Sequence, residues 1–155
     1  MPSEKVVQSG ANFLDWAAGV CAAAADREQV GYWFVRSVSQ GAGLYESCEH
    51  LLVPTSALLR QEADRVVPDP LSIIWACRRA RETQTVLFLV HSHLGTRARF
   101  SRVDEAAERT VAPRVIELSG ASGFGAVVIA GQTYAARMWE EQGRSLLLSS
   151  VQIIP

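Results

Sequence analysis

Cysteine is scarce in this sequence, and its spacing excludes two classes of protein. Cys21, Cys48 and Cys77 are odd in number and lie far apart. They form neither the framework of a disulfide-stapled secreted domain nor the paired spacing of a thiolate zinc site. We therefore expect a protein of the reducing cytoplasm.

Long apolar runs and an excess of one charge are also missing. No stretch is long and apolar enough to span a bilayer, and 15 basic against 16 acidic side chains give a formal charge of −1. No bulk field therefore attracts nucleic acid or anionic lipid, and we expect neither as a partner. The segment FLDWAAGVCAAAA resembles an export signal, but Asp15 interrupts it, so it predicts a helix.

Helical and extended patterns alternate along the 155 residues, which indicates one α/β domain over 1–155 with helices packed on a mixed sheet. Apolar residues at three- and four-residue steps, including Ala24, predict a first helix from about Ala11 to Asp26, capped by Asn12 or Ser9. The other predicted elements are strands in QVGYWFVRSV and CEHLLVP, a helix from Leu71 to Arg81, a central strand in VLFLV, a charged helix after Ser101, and a hairpin of AVVIA and QTYAARMW. The segments predicted as turns or loops are Gly41 to Gly43, SGASGFG, and PTSALLRQEADRVVPDP with at most a short helical turn.

Two of the three histidines directly follow the predicted central strand. Residues two apart in an extended chain point to the same side, with Cα atoms about 6.6 Å apart, so His91 and His93 can converge on one ion. Asp104 can add a carboxylate, and two imidazoles with one carboxylate are a ligand set for catalytic zinc. A second interpretation covers part of the pattern, because Ser101 followed by an acid three residues later also resembles a helix N-cap. The cap leaves the histidines unexplained, so we predict a zinc site.

Zinc hydrolases need a base that accepts and passes on a proton, and the candidate here is Glu28 in DREQVGYWFV. We place it at the C-terminal end of the first helix, where the helix dipole disfavours a carboxylate. On position alone, a solvated surface acid is the simpler interpretation of Glu28, and Glu46 and Glu49 are alternatives for the base. His50, an isolated histidine, is expected to be packed or solvated.

The spacing of these residues resembles a known signature. His91-x-His93, seven intervening residues and Ser101-x-x-Asp104 resemble the motif of the JAMM metalloproteases of the JAB1/MPN domain family. The upstream segment Glu28-Gln-Val-Gly31 is similar to the glutamate element of the same family. By order of elements, the resemblance covers most of the chain.

The resemblance implies an MPN fold, related to that of cytidine deaminase, in which helices flank a mixed curved sheet. It implies that His91, His93 and Asp104 bind Zn²⁺. It also implies that Glu28 is the general acid/base and that Ser101 helps to stabilise the oxyanion.

The function implied by the resemblance is that of a bacterial zinc isopeptidase, similar to deubiquitinases, that cleaves after the C-terminal glycine of a ubiquitin-like protein or its conjugates. The expected partners are the ubiquitin-like protein and its conjugates, with activating and conjugating enzymes as further candidates where the same operon encodes them. Two alternatives remain: a peptidase for a sulfur-carrier protein or small peptide, and a non-catalytic MPN scaffold. A zinc nucleobase deaminase is disfavoured, because its histidine–glutamate and Pro-Cys-x-x-Cys elements are absent.

The loop between the predicted ligands leaves two questions open. A proline often follows the second histidine in the family, whereas this chain has Leu94. The resemblance therefore predicts the ligands but not the path of the loop. Arg97, Arg99 and Arg102 lie in or next to this loop, and they fit either a solvated face or a surface for an acidic partner.

Overall fold

A computed structural model describes residues 4–23, 26–38, 43–62 and 66–155. Ala24 and Gly41, which belonged to a predicted helix and a predicted turn, lie outside these ranges. In chain order the elements are β1 (Lys5–Gln8), α1 (Gly10–Ala23), β2 (Val30–Ser37), β3 (Leu44–Leu52), a 3₁₀ turn (Thr55–Ala57), β4 (Leu58–Gln61), β5 (Val66–Pro68), α2 (Pro70–Thr83), β6 (Val86–Ser92), α3 (Arg102–Ser119), β7 (Gly123–Ala130), β8 (Thr133–Gln142) and β9 (Ser145–Ile154).

Seven strands form one mixed sheet that closes on itself in the order β1, β3, β2, β6, β7, β8, β9. The short strand β1 pairs in parallel with both β3 and β9 and so joins the two ends of the sheet. Strands β6 and β7 are also parallel, and α3 makes the crossover between them that a parallel pair requires. Strands β4 and β5 form a separate two-stranded sheet.

The central strands are covered on both faces, which explains their nearly continuous apolar sequences. On one face, α1 packs against β2, where the rings of Phe13 and Trp33 stack with centroids 3.7 Å apart. On the other face, α2 and α3 contribute small and branched side chains to a second cluster, including Ala76, Ala112 and Val115. Two covered faces hold β6 rigidly, and β6 carries the first histidine to the edge of the core.

Most predicted elements are confirmed, with boundaries that differ by a few residues. The strands in QVGYWFVRSV and VLFLV are β2 and β6, and CEHLLVP contains the second half of β3, which pairs with β2 as expected. AVVIA and QTYAARMW form the β7–β8 hairpin. The two later helices are α2, which begins after its N-cap Asp69, and α3, which begins after Ser101. In SGASGFG, only 120–122 connect α3 to β7.

Three predictions about local structure are wrong. The described part of the first helix ends at Ala23 and Asp26 lies in a turn, so Glu28 lies five residues beyond Ala23 and not at the end of the described helix. Asn12 lies inside α1 and cannot cap it, whereas Ser9 directly precedes the helix. The segment predicted as a loop holds β4 and β5, because its prolines lie at the ends of elements instead of interrupting them.

No helix in the described ranges is long and apolar enough to cross a membrane. The three cysteines are free, as expected from their spacing. Cys77 lies on the buried face of α2, and this burial raises the pKa of its thiol to about 11.

Candidate metal centre

The end of β6 and the first turn of α3 bring the three predicted ligands together. His91 Nε2 lies 3.2 Å from Asp104 Oδ1, and His93 Nε2 lies 3.3 Å from Asp104 Oδ2. The two Nε2 atoms are 3.1 Å apart. Among the residues that the structure describes, these three side chains are the one group of at least three potential ligands, with ligand atoms within 4.8 Å of one another.

This arrangement fits a zinc ion. Ligand atoms at about 2.0–2.1 Å from a tetrahedral zinc ion are about 3.3 Å apart. The separation of the two Nε2 atoms, and the distance from each Nε2 to its nearer Asp104 oxygen, are close to this value. The donor chemistry agrees, because two imidazole nitrogens and one carboxylate leave a fourth position for water. The residues present therefore fit the group that the sequence predicted.

Asp104 has a second role as the acidic member of a helix capping box. The backbone N–H of Ser101 donates to Asp104 Oδ2 at 2.7 Å, and the backbone N–H of Asp104 donates to Ser101 Oγ at 3.0 Å. The predicted N-cap is therefore confirmed, and it does not compete with the predicted metal site, because the cap fixes the rotamer in which Asp104 faces the histidines.

Asp104 and His93 stabilise the charged forms of each other's side chains. Burial opposes ionisation of Asp104, but hydrogen bonds from His91 and His93 outweigh it and hold the pKa of this carboxyl well below its usual range. The pKa of His93 is raised, first by its hydrogen bond to Asp104 and then by the charges of Asp104 and Glu28. A further hydrogen bond to the backbone of Arg99 orients the His93 ring.

Glu28 lies beside the ligands, in the short segment before β2. Its Oε1 is 3.9 Å from His93 Nε2, and the residue is only 8% exposed, so it is not the solvated acid that its position in the sequence suggested. The backbone N–H of Glu28 donates to the carbonyl of Glu62, and Gln61 Nε2 donates to the carbonyl of Glu28. The β4–β5 segment that the sequence analysis missed therefore helps to hold the glutamate.

A match to a family model identifies the protein family to which this chain belongs. A family model described as prokaryotic homologs of the JAB domain matches residues 16–142. The chain belongs to that family. No curated protein matches this JAB domain.

The other candidate residues lie away from the metal centre of the JAB domain. Val30 on β2 pairs with His91 at the edge of the sheet where the site lies. Glu49 pairs with Phe34, which lies four residues, or about 13 Å, further along β2 than Val30. Glu46 is further still, and Glu49 binds Arg79 at 3.0 Å. His50 packs against the ring of Trp16 at 4.8 Å, as expected for a structural histidine.

Sequence reasoning missed two residues that couple Glu28 to the histidines. Ser92, between the two ligands, accepts a hydrogen bond from the backbone N–H of Gln29 on its Oγ at 2.8 Å, and its own N–H donates to the carbonyl of Gln29 at 2.9 Å. Gln29 also donates from Nε2 to the carbonyl of Val20 in α1. The sequence did contain a signal for Gln29 and Ser92, because each of them is adjacent to a predicted site residue.

Proposed function

We propose that this JAB domain is a zinc peptidase of the deubiquitinase type, which cleaves after the C-terminal glycine of a ubiquitin-like protein, either in a precursor or in a conjugate. The single observation that carries the proposal is the buried carboxylate of Glu28 beside three converging ligands. A structural zinc site is closed by four protein ligands and has no use for a buried base. We include in the proposal the MPN fold, organisation of 1–155 as one domain, and a cytoplasmic location.

Zinc held by His91, His93 and Asp104 would polarise a scissile carbonyl and lower the pKa of a water molecule to near neutrality. Glu28 accepts a proton at its carboxylate and delivers it to the leaving amine. Hydrogen bonds from Gln61 and to Glu62 fix the backbone of Glu28, and burial restricts its carboxylate between the two transfers. Ser101 uses Oγ as an acceptor in the helix cap, so its O–H remains a donor for the oxyanion.

The connections around the site favour recognition of the tail of the substrate. Residues 120–122 join α3 to β7, and residues 131 and 132 join β7 to β8, so neither connection holds a large insertion. Inserted segments beside the site are what linkage-selective members of the family use to choose between ubiquitin chains. We therefore expect this enzyme to select the ubiquitin-like protein and its extended tail, with little preference for the leaving group.

Two alternatives use the same site differently. A peptidase for a sulfur-carrier protein or a small peptide would need the same zinc and the same Glu28. A non-catalytic scaffold would need neither, and the complete ligand set together with the buried glutamate favours catalysis.

The test uses fusions of a ubiquitin-like protein that ends in glycine to several unrelated leaving proteins. We expect zinc-loaded protein to cleave all fusions at similar rates, and His91→Ala to lose both zinc and cleavage. His50→Gln is the matched control and should keep both, because His50 packs against Trp16 and ligates nothing in our proposal. Replacing the terminal glycine by a bulky residue should stop cleavage while binding of the folded partner remains.

Absence of bound zinc in protein never exposed to chelator, with no uptake on addition, would refute the proposal. Rates that depend strongly on the leaving protein, or that ignore the terminal glycine, would favour the general peptidase. If activating and conjugating enzymes are encoded nearby, deconjugation should accompany precursor cleavage.

A further inference from the structure

The loop over residues 94–101, which joins the two histidines to Asp104, carries an unusual charge distribution. No acidic residue occurs between Glu82 and Asp104, whereas Arg97, Arg99 and Arg102 fall within six positions. All three arginines are exposed. The chain as a whole has a net charge of −1, so this basic cluster is local to the metal centre.

The acids nearest to these arginines in sequence already have other partners. Asp104 faces the two histidines, Glu105 binds Arg109 at 2.7 Å, and Glu108 binds Arg137. The side chains of Arg97, Arg99 and Arg102 make no hydrogen bond or ion pair within the described part of the chain. No acidic side chain among the described residues therefore pairs with their three positive charges.

The loop that carries Arg97 and Arg99 and leads to Arg102 at the start of α3 is well anchored. The N–H of Ala98 donates to Thr133 Oγ1 at 2.8 Å, and Thr133 Oγ1 also contacts the carbonyl of Thr96 at 3.3 Å. The ring of Phe100 lies under the guanidinium of Arg137, 3.7 Å from its central carbon. Because the backbone of Arg99 is hydrogen-bonded to His93, the fixed loop presents its arginines directly beside the site.

The surroundings of the arginines indicate a polypeptide partner. Leu94 is 42% exposed and Val103 is 71% exposed, and they flank the basic cluster on either side. Guanidinium groups bind carboxylates through paired hydrogen bonds, and arginine next to apolar side chains is typical of protein interfaces.

We propose that Arg97, Arg99 and Arg102 form a subsite for acidic side chains of the substrate, within a few residues of the scissile glycine. This inference rests on the proposed peptidase function, because only a peptidase has a scissile bond in its substrate. The property that it predicts is binding of the substrate near that bond. A substrate whose tail carries Asp or Glu would be held across the loop, and a lysine-rich tail would be rejected by like charge.

The test measures binding of three fluorescein-labelled peptides of equal length that end in Gly-Gly and carry Glu, Gln or Lys at the same positions. At low salt, we expect the Glu peptide to bind about tenfold more tightly than the Gln peptide, since each exposed pair contributes modestly. The preference should decline with added salt, and the Lys peptide should bind weakest. R97E/R99E should reverse the order of the Glu and Lys peptides.

The matched control is R78E/R144E, which makes the same change in net charge at two exposed arginines that also lack partners among the described residues. It should keep the preference, and both variants should keep their zinc content. Equal binding of the Glu and Gln peptides, or the same loss in both variants, would overturn the inference. So would equal binding of a thymidine oligonucleotide, which would indicate a general anion surface.

These outcomes are separate from those of the proposed function. Selective binding of the Glu peptide without any hydrolysis would refute the peptidase and keep the subsite. Hydrolysis of fusions without any charge preference in peptide binding would refute the subsite and keep the peptidase.

Discussion

Arg137 on β8 and Glu108 on α3 form a largely buried ion pair, the Arg137–Glu108 clamp, near the candidate metal centre. Arg137 Nε donates to Glu108 Oε2 at 2.8 Å, and Nη2 contacts the same oxygen at 2.6 Å. Trp139 Nε1 donates to this oxygen as well, at 3.1 Å. Glu108 lies one helical turn after Asp104 on the buried side of α3, and the guanidinium also covers the ring of Phe100 just before the helix cap. The clamp therefore fixes the turn that presents Asp104.

The clamp predicts an effect on zinc affinity. Removing one partner alone would leave a buried, unpaired charge and destabilise the fold, so both are changed together in R137M/E108Q. We expect this variant to fold but to bind zinc about tenfold more weakly, because residues that orient a ligand tune its affinity. Competition with a chromogenic chelator measures the affinity.

A pair on the exposed side of the same helix provides the control for the clamp. Glu105 and Arg109 form an exposed ion pair at 2.7 Å, and R109M/E105Q should leave zinc affinity unchanged. Equal zinc affinity in R137M/E108Q and the wild type would show that the start of α3 needs no anchor.

Glu28 is predicted to move protons without holding the metal. Glu28→Gln keeps the shape and removes the proton acceptor, so cleavage should slow by about 10²–10⁴-fold with zinc content unchanged. Elemental analysis and cleavage kinetics together decide the assignment. Loss of zinc would make Glu28 a ligand. Glu49→Gln, which removes only the ion pair with Arg79, should be as active as the wild type.

The convergence of the candidate ligands His91, His93 and Asp104 was predictable because their pattern is short and local. Strand period 2 brings His91 and His93 to one side, and the capping preference of serine places Asp104 in the first turn of a helix. Both rules depend on residues within fourteen positions of each other, from His91 to Asp104. Local rules therefore sufficed for the ligands.

The missed features depend on partners that are distant in sequence. β1 is short, and its pairing with β9 joins positions 146 residues apart, Lys5 and Val151. Glu108 resembles a solvated helical acid until Arg137, 29 residues later, is placed against it. The β4–β5 sheet was missed because prolines are strong loop signals, although Pro68 is tolerated at the end of an edge strand.

The close approach of β6 and β7 predicts the sensitivity of a glycine. Gly125 pairs with Phe88, and a Cβ at Gly125 would lie 2.3 Å from the Phe88 ring, which is fully buried. Gly125→Ala should therefore destabilise the fold by about 1–3 kcal/mol through overpacking. Gly19 is the control, because it is exposed within α1 and a Cβ added there would meet no atom within 4 Å.

Gly19→Ala should stabilise the fold by about 0.5–1 kcal/mol, because alanine loses less backbone entropy in a helix. Denaturant unfolding of the two variants measures both free energies. A neutral Gly125→Ala would show that the Phe88 ring can move aside, and β6 would then be less rigid than we infer.

Ser101 combines a cap and a proposed oxyanion donor, and two substitutions separate the roles. Ser101→Ala removes both and should lower the free energy of unfolding by about 1 kcal/mol, whereas glycine caps helices nearly as well as serine and should cost only a few tenths. If the hydroxyl stabilises the oxyanion, both variants lose kcat by about 10²–10³-fold despite their different stabilities. If Ser101 is only a cap, Ser101→Gly retains kcat. Cleavage kinetics at saturating zinc, read beside the unfolding free energies, distinguish the two roles.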